Sequence, residues 1–246
     1  MPELTDLKSF LTAAHVDEEV FTLRPDYTAL LLVADGIAPG ASDAASEKLV
    51  HRAEEFGAAL QQEQRVEEWE HIASWREAHR AFGAKPKRTR NSLEALTLRT
   101  ESGLPRVNRL TDIYNAISVL HQIPLGGEDL NGYTGAPRLV RAKGDEPFDV
   151  KSGGEVITEY PKPGEVIWCD DLGGTCRRWN WRQGSRTQLT DETTQALFIM
   201  DALSPVGNKD LLAAAEDLVR HLRAFSPGLR SAHRVITAEN ATGISV

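Results

Sequence analysis

The chain has 246 residues, of which 41% are hydrophobic and 26% are charged, and its formal net charge at pH 7 is -8. This composition is ordinary for a soluble globular protein, and the acidic balance argues against a general nucleic-acid coat protein. No apolar run approaches membrane-spanning length and no signal peptide is recognisable. We therefore expect a cytoplasmic protein with no membrane partner.

The first third of the chain is expected to hold a short helix at residues 4–14, strands at residues 21–23 and 27–34, and a charged helical region at residues 42–82. Residues 29–33 are almost wholly apolar, which is typical of a central strand covered on both faces. Ser42 or Asp43 is expected to cap the helical region, and a break is predicted near residues 61–64.

Two amphipathic helices joined by a Gly-Leu-Pro turn are predicted within residues 88–129. Asn91 is expected to cap the first helix, with Glu94 as its reciprocal partner. Apolar residues at helical spacing define the second helix: Leu110, Ile113, Tyr114, Ile117 and Leu120. Pro124 is expected to end that helix, and residues 125–129 are predicted to form a loop.

The remainder of the chain is predicted to contain strands at residues 138–142, 166–169, 197–202 and 234–237, and a helix at residues 209–225. Residues 176–182 alternate in character, so a strand there would turn Trp179 and Trp181 to one face. The opposite, polar face would hold Arg178, Asn180 and Arg182. This mixed order of elements predicts an α+β fold.

Two cysteines occur, Cys169 and Cys176, with no histidine nearby that would complete a zinc framework. In a reducing compartment they are expected to be thiols that pack as small buried hydrophobes. We predict neither a metal site nor a cofactor.

The segment at residues 85–90 is basic. Between Ala84 and Arg141 the sequence contains nine Lys or Arg residues and five acidic residues. A local basic patch can hold a phosphate backbone even when the whole protein is acidic. A merely solvated surface explains the same charges equally well. The candidate RNA-binding residues are Lys85, Lys87, Arg88 and Arg90.

Several short motifs occur in an order that resembles the B3/B4 domain family: SLEAL, LPRVN, TDIYNAISVLHQIPLGGEDL, RWNWRQG and LTDETT. That domain is the editing module of the bacterial phenylalanyl-tRNA synthetase beta subunit and also occurs as a free-standing protein. The resemblance implies a mixed-sheet α+β fold with flanking helices. We expect one such domain over residues 1–246, with its core at about residues 75–205.

The resemblance also implies a pocket between residues 122–129 and residues 179–185. In the family, a histidine lies near the position of Gly126, and a small apolar wall corresponds to residues 180–185. The editing glutamate lies on a strand similar to residues 197–202, where this chain offers Asp201. Because these side chains differ here, tyrosine specificity is not inferred.

Hydrolysis of an activated ester needs only an oriented water and donors to the developing oxyanion. The candidate catalytic residues are Asp129, Asp201 and Asn180. The candidate substrate-binding residues are Gly126, Gly127, Arg178, Arg182, Gly184 and Thr190. The structural alternative for Arg178, Asn180 and Arg182 is an exposed strand face. For Asp129 and Asp201 it is a helix cap or a surface charge, and for Thr190 it is a cap.

These observations predict a free-standing protein that hydrolyses mischarged aminoacyl-tRNA in trans. Its partners would be tRNA or aminoacyl-tRNA and a small-molecule amino acid. The alternatives are a non-catalytic module that binds an amino acid or another small carboxylate, and an RNA-binding module without chemistry.

Overall fold

The computed structural model describes residues 4–242, which fold into helices packed on antiparallel-rich sheets. The α-helices of this part are α1 (Leu4–Ala13), α2 (Glu18–Leu23), α3 (Ala44–Glu63), α4 (Glu70–Ala81), α5 (Ser92–Thr97), α6 (Arg109–His121) and α7 (Asn208–Phe225). The strands are β1 (His15–Val16), β2 (Thr28–Asp35), β3 (Leu125–Asp129), β4 (Arg138–Arg141), β5 (Phe148–Ser152), β6 (Glu155–Glu159), β7 (Val166–Asp170), β8 (Gly173–Arg177), β9 (Arg182–Gln183), β10 (Gln195–Ala202) and β11 (Arg230–Ile236). The α+β class predicted from the sequence is confirmed.

Two larger sheets and one hairpin organise these strands. One sheet has the order β11-β2-β10-β3, with antiparallel neighbours, and the other has the order β1-β4-β7-β8-β9. The β1–β4 pair is parallel, and β5 and β6 form a separate hairpin. Within the described residues, no helix is both long and apolar enough to cross a membrane.

Strand β2 lies between two hydrophobic cores. Leu30 and Leu32 pack in the core that also contains α3, α6 and α7. Leu31 and Val33, on the opposite face, pack in a second core with β4, β7 and Trp179. Successive side chains of a strand point to opposite faces, so burial on both faces accounts for the almost continuous apolar run of β2.

The helix starts follow capping chemistry visible in the sequence. Asp43 caps α3 by accepting hydrogen bonds of 2.9 Å from the backbone NH groups of Ala45 and Ser46. The Asn91 side chain caps α5 by accepting a bond of 2.8 Å from the Glu94 backbone NH. The predicted reciprocal bond from Glu94 is replaced by an ion pair of 2.7 Å with Arg76.

Two local predictions are wrong. Residues 21–23 belong to helix α2, whose first turn carries the acidic residues Glu18 and Glu19 and whose buried side holds Val20 and Phe21. Residues 125–129 form strand β3, because β10 supplies a complete antiparallel partner along that segment. Such tertiary pairing overrides the low strand propensity of a glycine- and acid-rich segment.

The predicted alternation over residues 176–182 is also wrong. Strand β8 ends at Arg177, and the chain then turns with Arg178 and Trp179 at φ angles of 50° and 66°. Positive φ angles are uncommon for residues with a side chain and cost on the order of 1 to 3 kcal/mol each. The turn separates Arg178 from Arg182, which were predicted to share one face.

Candidate functional site

A cavity of about 260 Å³ lies between the two larger sheets. Strands β3 and β10 line one side of it, and β7, β8 and residues 179–183 line the other. Residues of α5 and α6 close a third side. The cavity therefore occupies the space in which the sequence predicted a pocket, between the segment after α6 and the segment around residues 179–185.

The pairing of β3 with β10 determines which side chains reach this cavity. Gly126 lies opposite Ile199, and Glu128 lies opposite Leu197. Directly paired residues of an antiparallel ladder share a face. Asp201 is two residues beyond Ile199 on β10, so its side chain points to the same face as those of Leu197 and Ile199. Gly126, Glu128 and Asp201 consequently lie on one face, and all three line the cavity.

The two neighbouring glycines of β3 are not equivalent. A Cβ atom added to Gly126 would meet no other atom within 4 Å. A Cβ atom added to Gly127 would lie 2.7 Å from Cδ1 of Leu189 and 3.0 Å from the ring of Phe198, in the opposite core. Gly126 therefore borders open space in the cavity, whereas Gly127, also predicted to bind substrate, packs in the interior.

Asp201 is a buried carboxyl group at one end of the cavity. The Tyr27 hydroxyl group donates a hydrogen bond of 2.6 Å to its Oδ1 atom, and Nδ2 of Asn180 donates one of 3.4 Å to its Oδ2 atom. Burial raises the pKa of Asp201 to about 7, although both hydrogen bonds oppose this shift. The carboxyl group can therefore change protonation state near neutral pH.

The strained turn at Arg178 and Trp179 brings Asn180 to Asp201. The Trp179 ring is fully buried and packs edge-on against Tyr27 and Trp75, with centroid distances of 4.9 Å and 5.3 Å. Edge-to-face aromatic pairs contribute about 0.5 to 1.5 kcal/mol each beyond their buried area. This packing offsets the backbone strain and fixes the position of the next residue, Asn180.

The orientation of the Asn180 amide depends on its two neighbours. His79 is buried, its Nδ1 atom lies 3.2 Å from the Thr89 carbonyl oxygen, and burial lowers its pKa to about 4. Neutral His79 with a proton on Nδ1 presents Nε2 as an acceptor. In the structure, Nδ2 of Asn180 donates to Asp201, and the interaction with Asn180 works against the lowering of the His79 pKa by burial.

Glu128 is a second buried carboxyl group, and no local sequence pattern distinguishes it as a site residue. Glu128 pairs with Leu197 of β10, which is four residues before Asp201. At the usual strand rise, this separation along the strand is about 13 Å. The Tyr133 hydroxyl group donates a hydrogen bond to Glu128, and burial raises the pKa of Glu128 to about 7. Treating residues 125–129 as a strand would have placed Glu128 beside Gly126 on one face.

Arg182 and Cys176 also line the cavity. Nη1 of Arg182 lies 3.4 Å from a carboxylate oxygen of Glu159, and 38% of the Arg182 side chain is exposed. Burial, reinforced by Glu128 and Asp201, raises the pKa of the Cys176 thiol well above its usual range. Since the thiolate is the nucleophile, Cys176 is not prepared for covalent catalysis.

The other predicted site residues lie outside this cavity. Asp129 accepts a hydrogen bond of 2.6 Å from the Thr193 hydroxyl group and one of 2.9 Å from the Asn131 backbone NH. Thr190 is exposed, and its hydroxyl oxygen accepts a bond from a backbone NH within its own turn. Gly184 packs beside Phe148, 3.2 Å from where its Cβ atom would lie.

The basic segment at residues 85–90 lies on the surface beside α4 and α5. Lys85, Lys87 and Arg88 are exposed, whereas Arg90 has its Nε atom 3.3 Å from Oε1 of Glu94. Arg90 therefore contributes to the structure as well as to the surface charge. Arg178 extends away from the cavity described above, with its Nε atom 3.5 Å from Oε2 of Glu165.

A family model described as the B3/4 domain matches residues 74–222. The chain therefore belongs to the B3/4 domain family. No curated protein matches this sequence.

A similar solved structure is the crystal structure of an N-terminal fragment of the phenylalanyl-tRNA synthetase beta-subunit from Pyrococcus horikoshii. The sequence identity is 11% and the TM-score is 0.44, and the alignment covers 92% of this chain and 52% of that chain. This chain thus spans about half the length of the solved fragment.

Proposed function

We propose that this protein hydrolyses the ester bond of a mischarged aminoacyl-tRNA in trans, with the aminoacyl group in the cavity that Asp201 and Glu128 border. The observation that carries this proposal is the buried Asp201 carboxyl group, whose pKa of about 7 suits a general base at neutral pH. Membership of the B3/4 domain family and the editing activity that the motifs imply point to the same chemistry.

In this proposal, Asp201 removes a proton from a water molecule as the water oxygen attacks the ester carbonyl carbon. The bond between that carbon and the ribose oxygen then breaks, and the proton passes to the departing ribose oxygen. Asn180 and Tyr27 hold the carboxylate through the two hydrogen bonds described above. Asp201 is thus the catalytic base, and Asn180 is a positioning residue.

The size and the walls of the cavity suit an aminoacyl group. Its volume of about 260 Å³ lies below the usual range of about 300 to 1,000 Å³ for drug-sized ligands. Trp168, Trp179 and Trp181 supply aromatic walls, and Glu128 supplies a carboxyl group at the far end. The side chain of a small acyl group would find apolar contacts between the Asp201 and Glu128 carboxyl groups.

The basic segment supplies a surface for the tRNA. Lys85, Lys87 and Arg88 are exposed, and no ion pair joins them to an acidic residue within residues 4–242. Cations of this kind neutralise backbone phosphates and release counterions, which makes binding dependent on salt concentration. We include tRNA binding by this segment in the proposal.

A second candidate function is the binding of a free amino acid without turnover. Arg182 favours it, because its guanidinium group lines the cavity and its ion pair with Glu159 is long. A guanidinium group matches a carboxylate in bidentate geometry. A free amino acid carries that carboxylate, whereas an aminoacyl ester does not.

A deacylation screen of the purified protein against a panel of mischarged tRNAs tests the first candidate. We expect wild-type protein to hydrolyse at least one of them, and Asp201→Asn to lower that rate by about 100-fold or more, the usual contribution of a general base. Thermal midpoints establish that both proteins are folded. Asp129→Asn is the matched control, since Asp129 lies outside the cavity, and it should retain activity.

Calorimetric titration with free amino acids separates the two candidates. Saturable binding of an amino acid, without hydrolysis of any ester in the panel, would support the second candidate and contradict the first. Full activity of folded Asp201→Asn would remove Asp201 from the mechanism.

A further inference from the structure

A second cavity, of about 250 Å³, lies between the end of α4 and the chain segment around β7 and β8. Four cationic side chains line it: Lys85, Arg88, Lys162 and Arg178. Lys85 and Arg88 come from the basic segment, whereas Lys162 and Arg178 are distant in sequence. The fold therefore gathers positive charge around a concave site that no linear stretch of sequence displays.

The acidic residue of this cavity, Glu165, is already neutralised. Arg177 holds it in two parallel hydrogen bonds, from Nε to Oε1 at 2.8 Å and from Nη2 to Oε2 at 3.1 Å. Both side chains are buried. Within the described residues, no acidic side chain forms an ion pair with Lys85, Arg88 or Lys162. The net charge around the cavity is consequently positive.

Arg178 is the one cation of this site that the fold holds firmly. Its guanidinium group stacks on the Trp181 ring at 4.2 Å from the ring centroid, and its Nε atom lies 3.5 Å from Glu165. Its backbone has a φ angle of 50°, in the left-handed region. Trp181 lines the cavity that Asp201 and Glu128 border, which is called the main cavity from here on. The Arg178–Trp181 stack therefore lies between the two cavities.

We propose that this second cavity is a phosphoryl-binding site. A phosphoryl group offers several anionic oxygens, and it can take bidentate hydrogen bonds from Arg88 and Arg178 while Lys85 and Lys162 supply point charges. A singly charged carboxylate would leave most of these cations uncompensated. The site lies outside the cavity in which ester hydrolysis is proposed, but it shares Lys85 and Arg88 with the surface proposed above for tRNA.

Titration of the intact protein with inorganic phosphate, at constant ionic strength set with chloride, tests this site. We expect saturable binding to wild-type protein, and weakening by about tenfold in Lys162→Ala and in Arg88→Ala, as for the removal of a charged hydrogen bond. Lys48→Ala is the matched control, because Lys48 lies on α3 and lines neither cavity. It should bind phosphate as wild-type protein does.

Arg178→Lys adds a variant that keeps the charge. It should weaken phosphate binding, because lysine lacks both the planar fork and the stack on Trp181. Absence of saturable phosphate binding, or equal affinity in wild-type protein, Lys162→Ala and Arg88→Ala, would overturn the proposal. Thermal midpoints of all variants exclude unfolding as the cause of weaker binding.

A competition experiment identifies the source of the phosphoryl group. An RNA hairpin with the dimensions of a tRNA acceptor stem is bound to the protein, and inorganic phosphate is then added at constant ionic strength. Displacement of the RNA by phosphate assigns the site to a backbone phosphate. Simultaneous binding of both assigns it to free phosphate or a phosphorylated small molecule. Either result supports the site, provided that Lys162→Ala shifts the phosphate effect to about tenfold higher phosphate concentration.

Discussion

The Tyr27 hydroxyl group donates a hydrogen bond of 2.6 Å to Oδ1 of Asp201, joining residues that are 174 positions apart in the sequence. Tyr27 precedes β2 and Asp201 lies near the end of β10, so their contact depends on the pairing of these two strands. Both side chains are buried. The protonation behaviour of Asp201 therefore depends on a residue outside the family match.

The pH dependence of ester hydrolysis should report this hydrogen bond. Turnover by Asp201 as a base should increase as pH rises through about 7 and then level off. The Tyr27 bond favours the ionised form of Asp201, so Tyr27→Phe should raise the pKa of Asp201 and move the inflection to higher pH. The pH profile of kcat/KM measures the shift. Tyr160→Phe, which alters an exposed tyrosine, should leave the profile unchanged.

The stability of the protein should also respond to the two buried carboxyl groups. The folded-state pKa values of Asp201 and Glu128 are both about 7, above the values expected in the unfolded chain. Their contribution to folding is therefore complete below pH about 4 and is lost as pH rises through 7. Each unit of difference between the folded-state and unfolded-state pKa changes the free energy of unfolding by about 1.4 kcal/mol.

Asp201→Asn and Glu128→Gln remove these ionisations. We expect each variant to have a higher free energy of unfolding than wild-type protein at pH 8, and to lose that advantage at acidic pH, near the ordinary carboxyl pKa of about 4. Urea denaturation at the two pH values measures the difference. An equal difference between variant and wild type at both values would show that the carboxyl groups do not titrate differently on folding.

The two glycines of β3 should respond in opposite ways to substitution by alanine. Gly127→Ala should lower the free energy of unfolding by about 1 to 3 kcal/mol, because its methyl group would overlap Leu189 in a packed core. Gly126→Ala should leave stability nearly unchanged and instead reduce the space for a ligand. Thermal midpoints and the deacylation screen measure the two effects. A large fall in stability in Gly126→Ala would contradict the open space beside this residue.

The sequence predicted β2, β10 and the long helices because local apolar periodicity determines those elements, whereas the expectation of a pocket beside residues 122–129 came from the resemblance to the B3/B4 domain family. It did not predict strand β3, since Gly126 and Gly127 have low strand propensity and become a strand only through pairing with β10. Glu128 was missed for the same reason.

The placement of Arg178 was wrong because regular alternation was assumed where the backbone turns. Arg178 and Trp179 adopt positive φ angles that no local signal indicates, and burial of Trp179 among distant aromatic residues stabilises them. A single sequence does not reveal those long-range contacts.

The separation of Arg178 from Arg182 predicts distinct effects of equivalent substitutions. Arg182→Lys should lower the affinity for a free amino acid by roughly tenfold, since lysine cannot form a bidentate contact with its carboxylate. Its thermal midpoint should change little, because the partly exposed pair with Glu159 is long and weak. Arg178→Lys should spare ester hydrolysis in the main cavity. Calorimetric titration with the amino acid, deacylation rates and midpoints of both variants test this difference, and an equal fall in affinity would contradict it.

The basic segment should determine how tRNA binding depends on salt. Replacing Lys85, Lys87 and Arg88 by alanine should weaken binding and reduce the slope of log K against log salt by about 0.7 to 0.9 for each phosphate that these side chains neutralise. Arg90 is left in place because it pairs with the buried Glu94. Fluorescence anisotropy over a range of salt concentrations measures the slope. Unchanged affinity and slope would show that the segment is only a solvated surface.

Strand β2 has a further consequence for synthesis of the chain on the ribosome. Its two neighbours, β10 and β11, are the last strands of the described chain, so both edges of β2 stay unpaired until residues up to 202 have been made, and one edge stays unpaired until residue 236. At about 5 to 20 residues per second, that interval lasts roughly 10 to 40 seconds. During it, an eight-residue apolar strand presents at least one open edge that invites pairing with other chains. We therefore expect nascent chains of this protein to be most prone to intermolecular strand pairing before β10 and β11 have been made.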